Sequence, residues 1–193
     1  MHGILQGNKY MRLVECAKSY IKSSVADGSL CIDLTCGNGL DTLFLSELVK
    51  KEGKVYAFDI QQQAVHSTQN LLMGHKCISQ VEIFQECHSS FTEHLPQELK
   101  GEISAVMVNL GYLPKGNHLI TTNPRTTCAA LAKAYEWLSV NGVISVITYQ
   151  GHEGGREENT AVKNLICEYQ WDCTTEFGNK KPDSPILYMI RKK

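Results

Sequence analysis

The chain has 193 residues, of which 42% are hydrophobic and 20% charged, and its net charge is −1 at neutral pH. This length suits one α/β domain, and we expect a single domain over residues 1–193 that opens with an N-terminal segment and helix over 1–26. The apolar runs are too short to span a membrane and no signal peptide is recognisable, so the sequence predicts a cytoplasmic protein without a membrane partner. The near-neutral charge excludes a strong overall field that would attract nucleic acid and is compatible with local basic faces.

The eight cysteines are scattered without a C-x-x-C pair, and several fall inside predicted strands or helices. A disulfide framework or a zinc site would need closer and more regular spacing. The sequence therefore predicts reduced, mostly buried thiols and no metal site.

Strands and helices alternate along most of the chain, after nine residues with little pattern. Helices are expected over residues 10–26, 40–53, 61–73, 124–138 and 157–169. Strands are expected over residues 30–33, 54–59, 81–84, 103–108, 143–147, 171–177 and 185–191. A turn is expected at Asn141-Gly142, and the last two strands should form an antiparallel pair. The alternation predicts a doubly wound, mostly parallel, seven-stranded α/β sheet of the Rossmann-like type.

The first predicted strand leads through a glycine turn into a helix. Gly37 and Gly39 permit positive φ and let a ligand approach the backbone beside the amides of a helix N-terminus. Asp33 ends this strand, and Asp59 ends the next one about 20 residues after Gly39, where an acid binds ribose hydroxyls in nucleotide-binding folds. Thr42 stands where the dinucleotide fingerprint has its third glycine, which disfavours a dinucleotide site.

This glycine loop and its two acids resemble the S-adenosylmethionine site of class I methyltransferases. The resemblance implies S-adenosylmethionine as the cofactor, with a dinucleotide as the less favoured alternative. It also implies that the strand ends and the glycine loop supply the cofactor contacts. These are Asp33, Thr35, Gly37, Asn38, Gly39, Asp41, Thr42, Asp59, Gln61, His88, Ser89 and Asn109.

The fourth predicted strand ends in Asn109-Leu110-Gly111-Tyr112. This segment partly resembles the Asn-Pro-Pro-Tyr loop of amino-group methyltransferases. In that loop the Asn side-chain oxygen accepts hydrogen bonds from the target nitrogen, and the Tyr ring stacks on the base. An amide oxygen is suited to that task. The alternative is that Asn109 only satisfies the backbone at the strand end.

The loops at the strand ends also indicate which kind of atom is methylated. Methylation of a pyrimidine at carbon 5 usually needs a cysteine nucleophile, and neither the 109–114 loop nor the 148–155 loop contains one. A nitrogen or oxygen target is therefore favoured. His152 lies in a glycine-flanked loop, where it could orient the substrate or accept a proton; a surface histidine without such a role is the alternative.

Taken together, the motifs are similar to those of the family labelled rRNA methylases, small class I methyltransferases whose characterised members modify the tRNA wobble uridine. The shared segments cover most of the chain between about residues 10 and 190. They are 33–42, 109–114, His118 with Thr121, Pro124 with Thr126 and Thr127, and 151–155.

The resemblance implies methyl transfer from S-adenosylmethionine to the amine of 5-aminomethyl-2-thiouridine, giving 5-methylaminomethyl-2-thiouridine, with the tRNA anticodon loop as partner. It implies catalytic roles for Asn109, Tyr112 and His152, and substrate binding by Tyr112, His118, Tyr149 and His152. The alternatives are N- or O-methylation of rRNA or of a small molecule, and a non-catalytic S-adenosylmethionine-binding protein. Both a monomer and a homodimer are compatible with the sequence.

Overall fold

The structure is a computed structural model that describes residues 3–114, 116–117, 119–179, 181 and 183–193, with side chains from Arg12 onward. The α-helices of the described residues are α1 (Gly3–Lys22), α2 (Leu40–Val49), α3 (Gln62–Gly74), α4 (Pro124–Trp137) and α5 (Gly155–Glu168). The strands are β1 (Leu30–Asp33), β2 (Lys54–Phe58), β3 (Val81–Phe84), β4 (Ile103–Asn109), β5 (Leu138–Thr148), β6 (Asp172–Phe177) and β7 (Ile186–Arg191). Short 3₁₀ helices span Ile78–Gln80, His88–Glu93 and Gln97–Leu99.

The strands form one sheet in the order β3-β2-β1-β4-β5-β7-β6. Neighbouring strands are parallel from β3 to β5, whereas β7 runs antiparallel to both β5 and β6. The predicted doubly wound, seven-stranded, mostly parallel sheet with a closing antiparallel pair is therefore confirmed. The chain order reverses at β1 and β4, the position where such sheets open a crevice for ligands.

Helices cover both faces of the sheet because the side chains of the central strands alternate between two apolar layers. On β4, Val106 and Val108 pack toward α4 and α5, whereas Ala105 and Met107 pack toward α2 and α3. On the second face α1 extends the layer, with Leu13 against the antiparallel end of the sheet. Central strands buried on both faces are typical of parallel sheets.

Several boundaries differ from those expected. Helix α1 begins at Gly3 rather than near residue 10, because apolar periodicity marks only the part of a helix that packs on the core. It ends at Lys22, where the hydroxyl of Ser23 donates to the Tyr20 carbonyl at 2.7 Å. Helix α4 begins as expected at Pro124, capped by Asn123, whose side chain accepts from the Thr126 amide.

The predicted turn at Asn141-Gly142 is wrong, since both residues lie within β5. Asn141 has a φ of 65°, and the pairing of β4 with β5 is irregular between Ile103 and Ala105. The kinked backbone stays in the sheet because the Asn141 amide donates to the Lys192 carbonyl at 3.0 Å, and the Lys192 amide donates to Gly142 at 2.9 Å. The Asn-Gly pair thus indicated the positive φ at Asn141 correctly, but the chain does not reverse its direction there.

The entry into α2 depends on close packing at Gly39. Its φ is +84°, and a Cβ there would lie 2.9 Å from the Thr68 Cα of α3. A side chain would therefore separate α2 from α3 as well as strain the backbone. Within the described ranges, none of the helices has the length and apolar character needed to cross a bilayer.

We predict that Phe58→Ala lowers the free energy of unfolding by about 3–5 kcal/mol, because it leaves a cavity in the core. The Phe58 ring is fully buried and stacks on the Phe84 ring, with 4.9 Å between the ring centroids. It packs edge to face against the Phe91 ring, with 6.2 Å between the ring centroids. Urea unfolding followed by circular dichroism measures the loss. The matched control is Phe177→Ala, at a ring that is 54% exposed on the outermost strand; an equal loss there would contradict the assignment of Phe58 to the core.

Candidate active site

A cavity of about 470 Å³ opens at the carboxyl ends of the central strands. The glycine loop and the end of β2 contribute Thr35, Gly37, Asn38, Asp41, Asp59 and Gln61 to its wall. His88 and Asn109 line the cavity as well, as do Tyr112 and Tyr149. These ten residues were predicted from the sequence as site residues, and the fold brings them together.

Five predicted site residues do not line the cavity: Asp33, Gly39, Thr42, Ser89 and His152. His118 lies outside the described residues. The structure thus separates the predicted set into residues that can touch a ligand in the cavity and residues that hold those in place.

Asp33 holds the glycine loop rather than facing the cavity. Its carboxylate is buried and accepts from the Thr42 hydroxyl at 2.6 Å and from the Thr35 amide at 3.1 Å. Burial raises the pKa of Asp33 to about 7, and the nearby Asp41 carboxylate adds to the shift. The two hydrogen bonds favour the charged form and partly offset this cost.

Asp59 braces the other side of the loop. One carboxylate oxygen accepts from the Gly37 amide at 3.0 Å and the other from the Gln61 amide at 2.9 Å. Burial raises the pKa of Asp59, and these backbone hydrogen bonds oppose the rise. Since each carboxylate oxygen has two lone pairs, Asp59 keeps acceptor capacity toward the cavity it lines.

His88 presents a neutral ring to the cavity. Burial lowers its pKa to about 4, and a ring N–H donates to the Leu34 carbonyl. Its Nε2 is buried and has no hydrogen-bond partner among the described residues. A neutral imidazole with one N–H engaged leaves the other nitrogen as an acceptor. The adjacent Ser89 does not line the cavity, and its hydroxyl lies 3.1 Å from the sulfur of Cys87, which does.

Asn109 ends β4 with its side chain in the cavity. Its backbone amide donates to the Thr35 hydroxyl at 2.7 Å, and its Nδ2 donates to the Asp41 carboxylate. The Oδ1 atom is buried and lacks a partner in the part of the chain that the structure describes. Because a buried, unsatisfied acceptor is costly, this oxygen indicates a position for a hydrogen-bond donor from a ligand.

The segment after Asn109 is tied to a second segment of the same loop. The Gly111 amide donates to the Thr122 hydroxyl at 2.7 Å, and the Thr122 amide donates back to the Gly111 carbonyl at 2.9 Å. Tyr112 forms an isolated antiparallel bridge with Thr121. These contacts fix the backbone that carries the Tyr112 ring at the wall of the cavity.

Glu158 anchors this arrangement from behind and was not predicted from the sequence. Its buried carboxylate accepts from the hydroxyls of Thr122 and Thr127, at 2.7 and 2.6 Å. Glu158 shares a face of α5 with the buried residues Val162 and Ile166, four and eight residues later, so helical periodicity carried the signal. From the sequence alone, an acid in the first turn of a helix is equally well explained as an exposed residue that interacts favourably with the helix dipole. Glu157 is such an exposed residue.

His152 supports the Tyr112 loop instead of reaching into the cavity. Its Nδ1 pairs with the Glu153 carbonyl at 2.8 Å, so this nitrogen is the donor. The ring meets that of Tyr112 edge to face at 5.7 Å, and its Nε2 has no partner in the described chain. Gly155 makes room for this loop, since a Cβ there would lie 2.1 Å from the Tyr149 carbonyl oxygen.

The thiols of Cys36 and Cys128 are unsuited to nucleophilic catalysis. Every cysteine is a free thiol, but only Cys31, Cys36 and Cys77 are buried, so the expectation of mostly buried thiols is wrong: the others lie on partly exposed faces of their elements. Cys36 lines the cavity, but burial strongly raises its pKa, and burial also raises that of Cys128. A thiol that stays protonated is a poor nucleophile. In the described ranges, no cluster of three or more His, Cys, Asp or Glu side chains has metal-binding geometry.

Comparison with known proteins identifies relatives along most of the chain. Residues 55–191 match the family described as “Putative rRNA methylase”. The chain is 37% identical over 202 aligned positions to the chloroplastic tRNA (mnm(5)s(2)U34)-methyltransferase of Arabidopsis thaliana, covering 99% of this chain and 72% of that protein.

Solved structures of similar proteins share both sequence and fold. A Clostridium thermocellum protein described as a “putative rRNA-methylase” is 36% identical with a TM-score of 0.87, covering 93% of this chain and 97% of that one. A Streptococcus mutans protein described as a “putative methyltransferase”, in complex with SAH, is 32% identical with a TM-score of 0.80 over the same shares. The predicted S-adenosylmethionine dependence and Rossmann-like methyltransferase fold are thereby confirmed. The chain belongs to the rRNA methylase family of S-adenosylmethionine-dependent methyltransferases.

Proposed function

We propose that this methyltransferase transfers a methyl group to the amine of 5-aminomethyl-2-thiouridine at the wobble position of tRNA. The observation that carries the proposal is the buried, unpartnered Oδ1 of Asn109 at the cavity, in the described part of the chain. An amine N–H is a donor that would satisfy it. The relative from Arabidopsis thaliana, named for methylation of a modified U34 in tRNA, supports the choice of substrate.

On the cofactor side, we assign the ribose hydroxyls to Asp59 and the adenine amino group to the Nε2 of His88. Both assignments match a hydroxyl or amino donor with an acceptor that lines the cavity. Thr35, Gly37, Asn38 and Gln61 complete this wall, where their backbone can approach the cofactor closely.

On the substrate side, Asn109 receives an amine N–H and Tyr112 stacks on the uracil ring. Tyr112 lines the cavity and is 41% exposed, so one part of its ring is available to a base. Such stacking contributes about 1–3 kcal/mol per base. We assign Tyr149 to the same wall and His152 to positioning Tyr112 through their edge-to-face contact. This role of His152 replaces the direct contact with the amine expected from the sequence.

The reaction is an in-line displacement in which the amine lone pair attacks the methyl carbon and the C–S electron pair returns to sulfur. Catalysis is therefore mainly positioning, together with keeping the amine neutral. Burial beside the sulfonium disfavours the ammonium form and lowers the amine pKa. An exposed wobble base in the anticodon loop can enter such a cavity without a separate RNA-binding domain.

Methylation of rRNA or of a small molecule is the second candidate, because the same acceptor would serve any amine. The name of the matching family favours rRNA, and the curated relative favours tRNA. A cytoplasmic location stays a prediction of the sequence, which is compatible with both a monomer and a homodimer.

We predict that Asn109→Ala reduces kcat about 100-fold or more and leaves cofactor affinity nearly unchanged, because its free oxygen lies on the substrate side. The measurement is methyl incorporation from labelled S-adenosylmethionine into tRNA that already carries 5-aminomethyl-2-thiouridine. Unmodified transcript should be nearly inert, since it offers no amine. Equal labelling of that transcript, or labelling of rRNA alone, would contradict the proposed substrate.

We predict that Asp59→Ala weakens S-adenosylmethionine binding by about 1.5–3 kcal/mol, the value of a hydrogen bond to a charged group. Isothermal titration measures the dissociation constant. The control is Asp27→Ala, since Asp27 is exposed in an ion pair with Lys50, and it should bind like wild type. Unchanged binding by the Asp59 variant, or tighter binding of NAD than of S-adenosylmethionine by wild type, would refute this site.

Thr122→Val should lower kcat about 10- to 100-fold, because it frees the Gly111 amide and lets the loop that carries Tyr112 shift. Thr127→Val is the matched control: it removes a hydroxyl from the same Glu158 carboxylate and leaves the bond between Thr122 and Gly111 intact. Both variants should lose similar thermal stability, which differential scanning fluorimetry reports. If steady-state kinetics show the same kcat for both, the loop is not positioned through Thr122.

A further inference from the structure

Asp41, predicted from the sequence as a cofactor contact, lies directly beside Asn109 at the cavity. It is the second residue of α2, and its carboxylate lines the cavity beside Asn109, from which it accepts the Nδ2 hydrogen bond. A carboxylate offers about four lone-pair positions, so this one bond leaves Asp41 able to accept more. The amide oxygen of Asn109 and the carboxylate of Asp41 thus present two neighbouring acceptors to one ligand group.

Burial and a small number of described polar neighbours set the protonation behaviour of Asp41. Burial raises its pKa, whereas Lys18 from α1 and the hydrogen bond from Asn109 lower it. The Lys18 ammonium lies 5.3 Å from the centre of the Phe44 ring, and the charge of Asp41 contributes to the raised pKa of the buried Asp33 at the end of β1. A desolvated carboxylate with a like charge nearby has an increased affinity for a proton or a cation.

The proposed substrate supplies such a cation. An alkylamine is an ammonium ion at neutral pH, as lysine is, and it has no lone pair until it loses a proton. Desolvation of both partners lowers the ammonium pKa and raises the carboxyl pKa, which makes the neutral amine and carboxylic acid accessible. The proton therefore needs an acceptor within hydrogen-bond reach of the amine.

We propose that Asp41 accepts this proton from the substrate ammonium while Asn109 holds the resulting amine; this inference rests on the proposed function. The N–H bond breaks and an O–H bond forms on Asp41, which leaves the lone pair on nitrogen. That pair forms the N–C bond as the C–S bond breaks with its electrons moving to sulfur. The product leaves as a secondary ammonium, and Asp41 then releases its proton to solvent.

His152 is the competing acceptor, and the geometry disfavours it. Its Nδ1–H is engaged by the Glu153 carbonyl, which leaves Nε2 as its accepting nitrogen, but the residue does not line the cavity. Asp41 lines the cavity and contacts Asn109 directly. The acid therefore lies beside the same acceptor that holds the amine.

The test compares Asp41→Asn with wild type across pH 6.5–9.5, using tRNA that carries 5-aminomethyl-2-thiouridine. Asparagine keeps the size and can still accept from Asn109, but it does not take a proton. We expect kcat to fall about 100-fold at neutral pH, as for loss of a general base. The deficit should shrink as pH rises, because the amine then arrives neutral, and the dissociation constant for S-adenosylmethionine should stay close to that of wild type. Asp41→Glu should restore part of the rate at neutral pH.

Asp27→Asn is the matched control, an acid-to-amide change at an exposed ion pair, and should behave as wild type. Three results would overturn the inference: an Asp41→Asn rate equal to that control, a rate deficit that is constant with pH, or a loss of cofactor binding that accounts for the whole effect. No methyl incorporation by wild type that still binds S-adenosylmethionine would refute the proposed function itself, and this inference with it. Circular dichroism of each variant confirms that it is folded.

Discussion

The carboxylates of the buried Asp33 and the half-buried Asp59 give the loop between β1 and α2 one defined shape, and the rest of the site depends on that shape. Asp33 accepts hydrogen bonds from Thr35 and Thr42, and Asp59, which follows the adjacent strand, accepts hydrogen bonds from Gly37 and Gln61. Burial raises the pKa of both carboxyls, and their hydrogen bonds partly offset this cost to the charged form. Because these bonds use backbone amides, the loop keeps its shape independently of a ligand. The cavity wall is therefore largely preorganised, which lowers the entropic cost of binding.

The parallel pairing of β1 with β4 connects the shape of the glycine loop to the position of Asn109 at the end of β4. Asp33 pairs in register with Met107 two residues before Asn109, so the ends of β1 and β4 meet at one edge. The Thr35 hydroxyl then accepts from the Asn109 amide, which joins the cofactor loop to the substrate loop directly. A displacement of the glycine loop would thus move Asn109, and the two halves of the site are mechanically one unit.

The strand ends could be predicted from the sequence, whereas the directions of side chains on the irregular loops could not. Alternation and apolar runs located Asp59 and Asn109 because a strand end fixes both position and edge of the sheet. His152 lies on a loop whose geometry is set by tertiary contacts with Tyr112, and no local pattern encodes its orientation. Glu158 was missed because its partners, Thr122 and Thr127, are more than 30 residues away in the chain, at separations of 36 and 31. Asp33 was located correctly, but its role depends on a hydroxyl that only folding brings near.

The acids around the cavity affect where positive charge is stabilised during the reaction. Burial raises the pKa values of Asp33, Asp41 and Asp59, so the charged form of each is favoured by a positive charge nearby. A bound sulfonium supplies a positive charge that stabilises the carboxylates, and the reaction then removes that charge from sulfur. The carboxylates of Asp33 and Asp59 therefore favour the methylated cofactor over its neutral product, and in the proposed reaction the positive charge passes from sulfur to the substrate nitrogen. Because Asp41 has by then taken the proton of the ammonium in that proposal, Asp33 and Asp59 are the acids whose field stabilises the charge as it moves, so they act on the transition state as well as on binding.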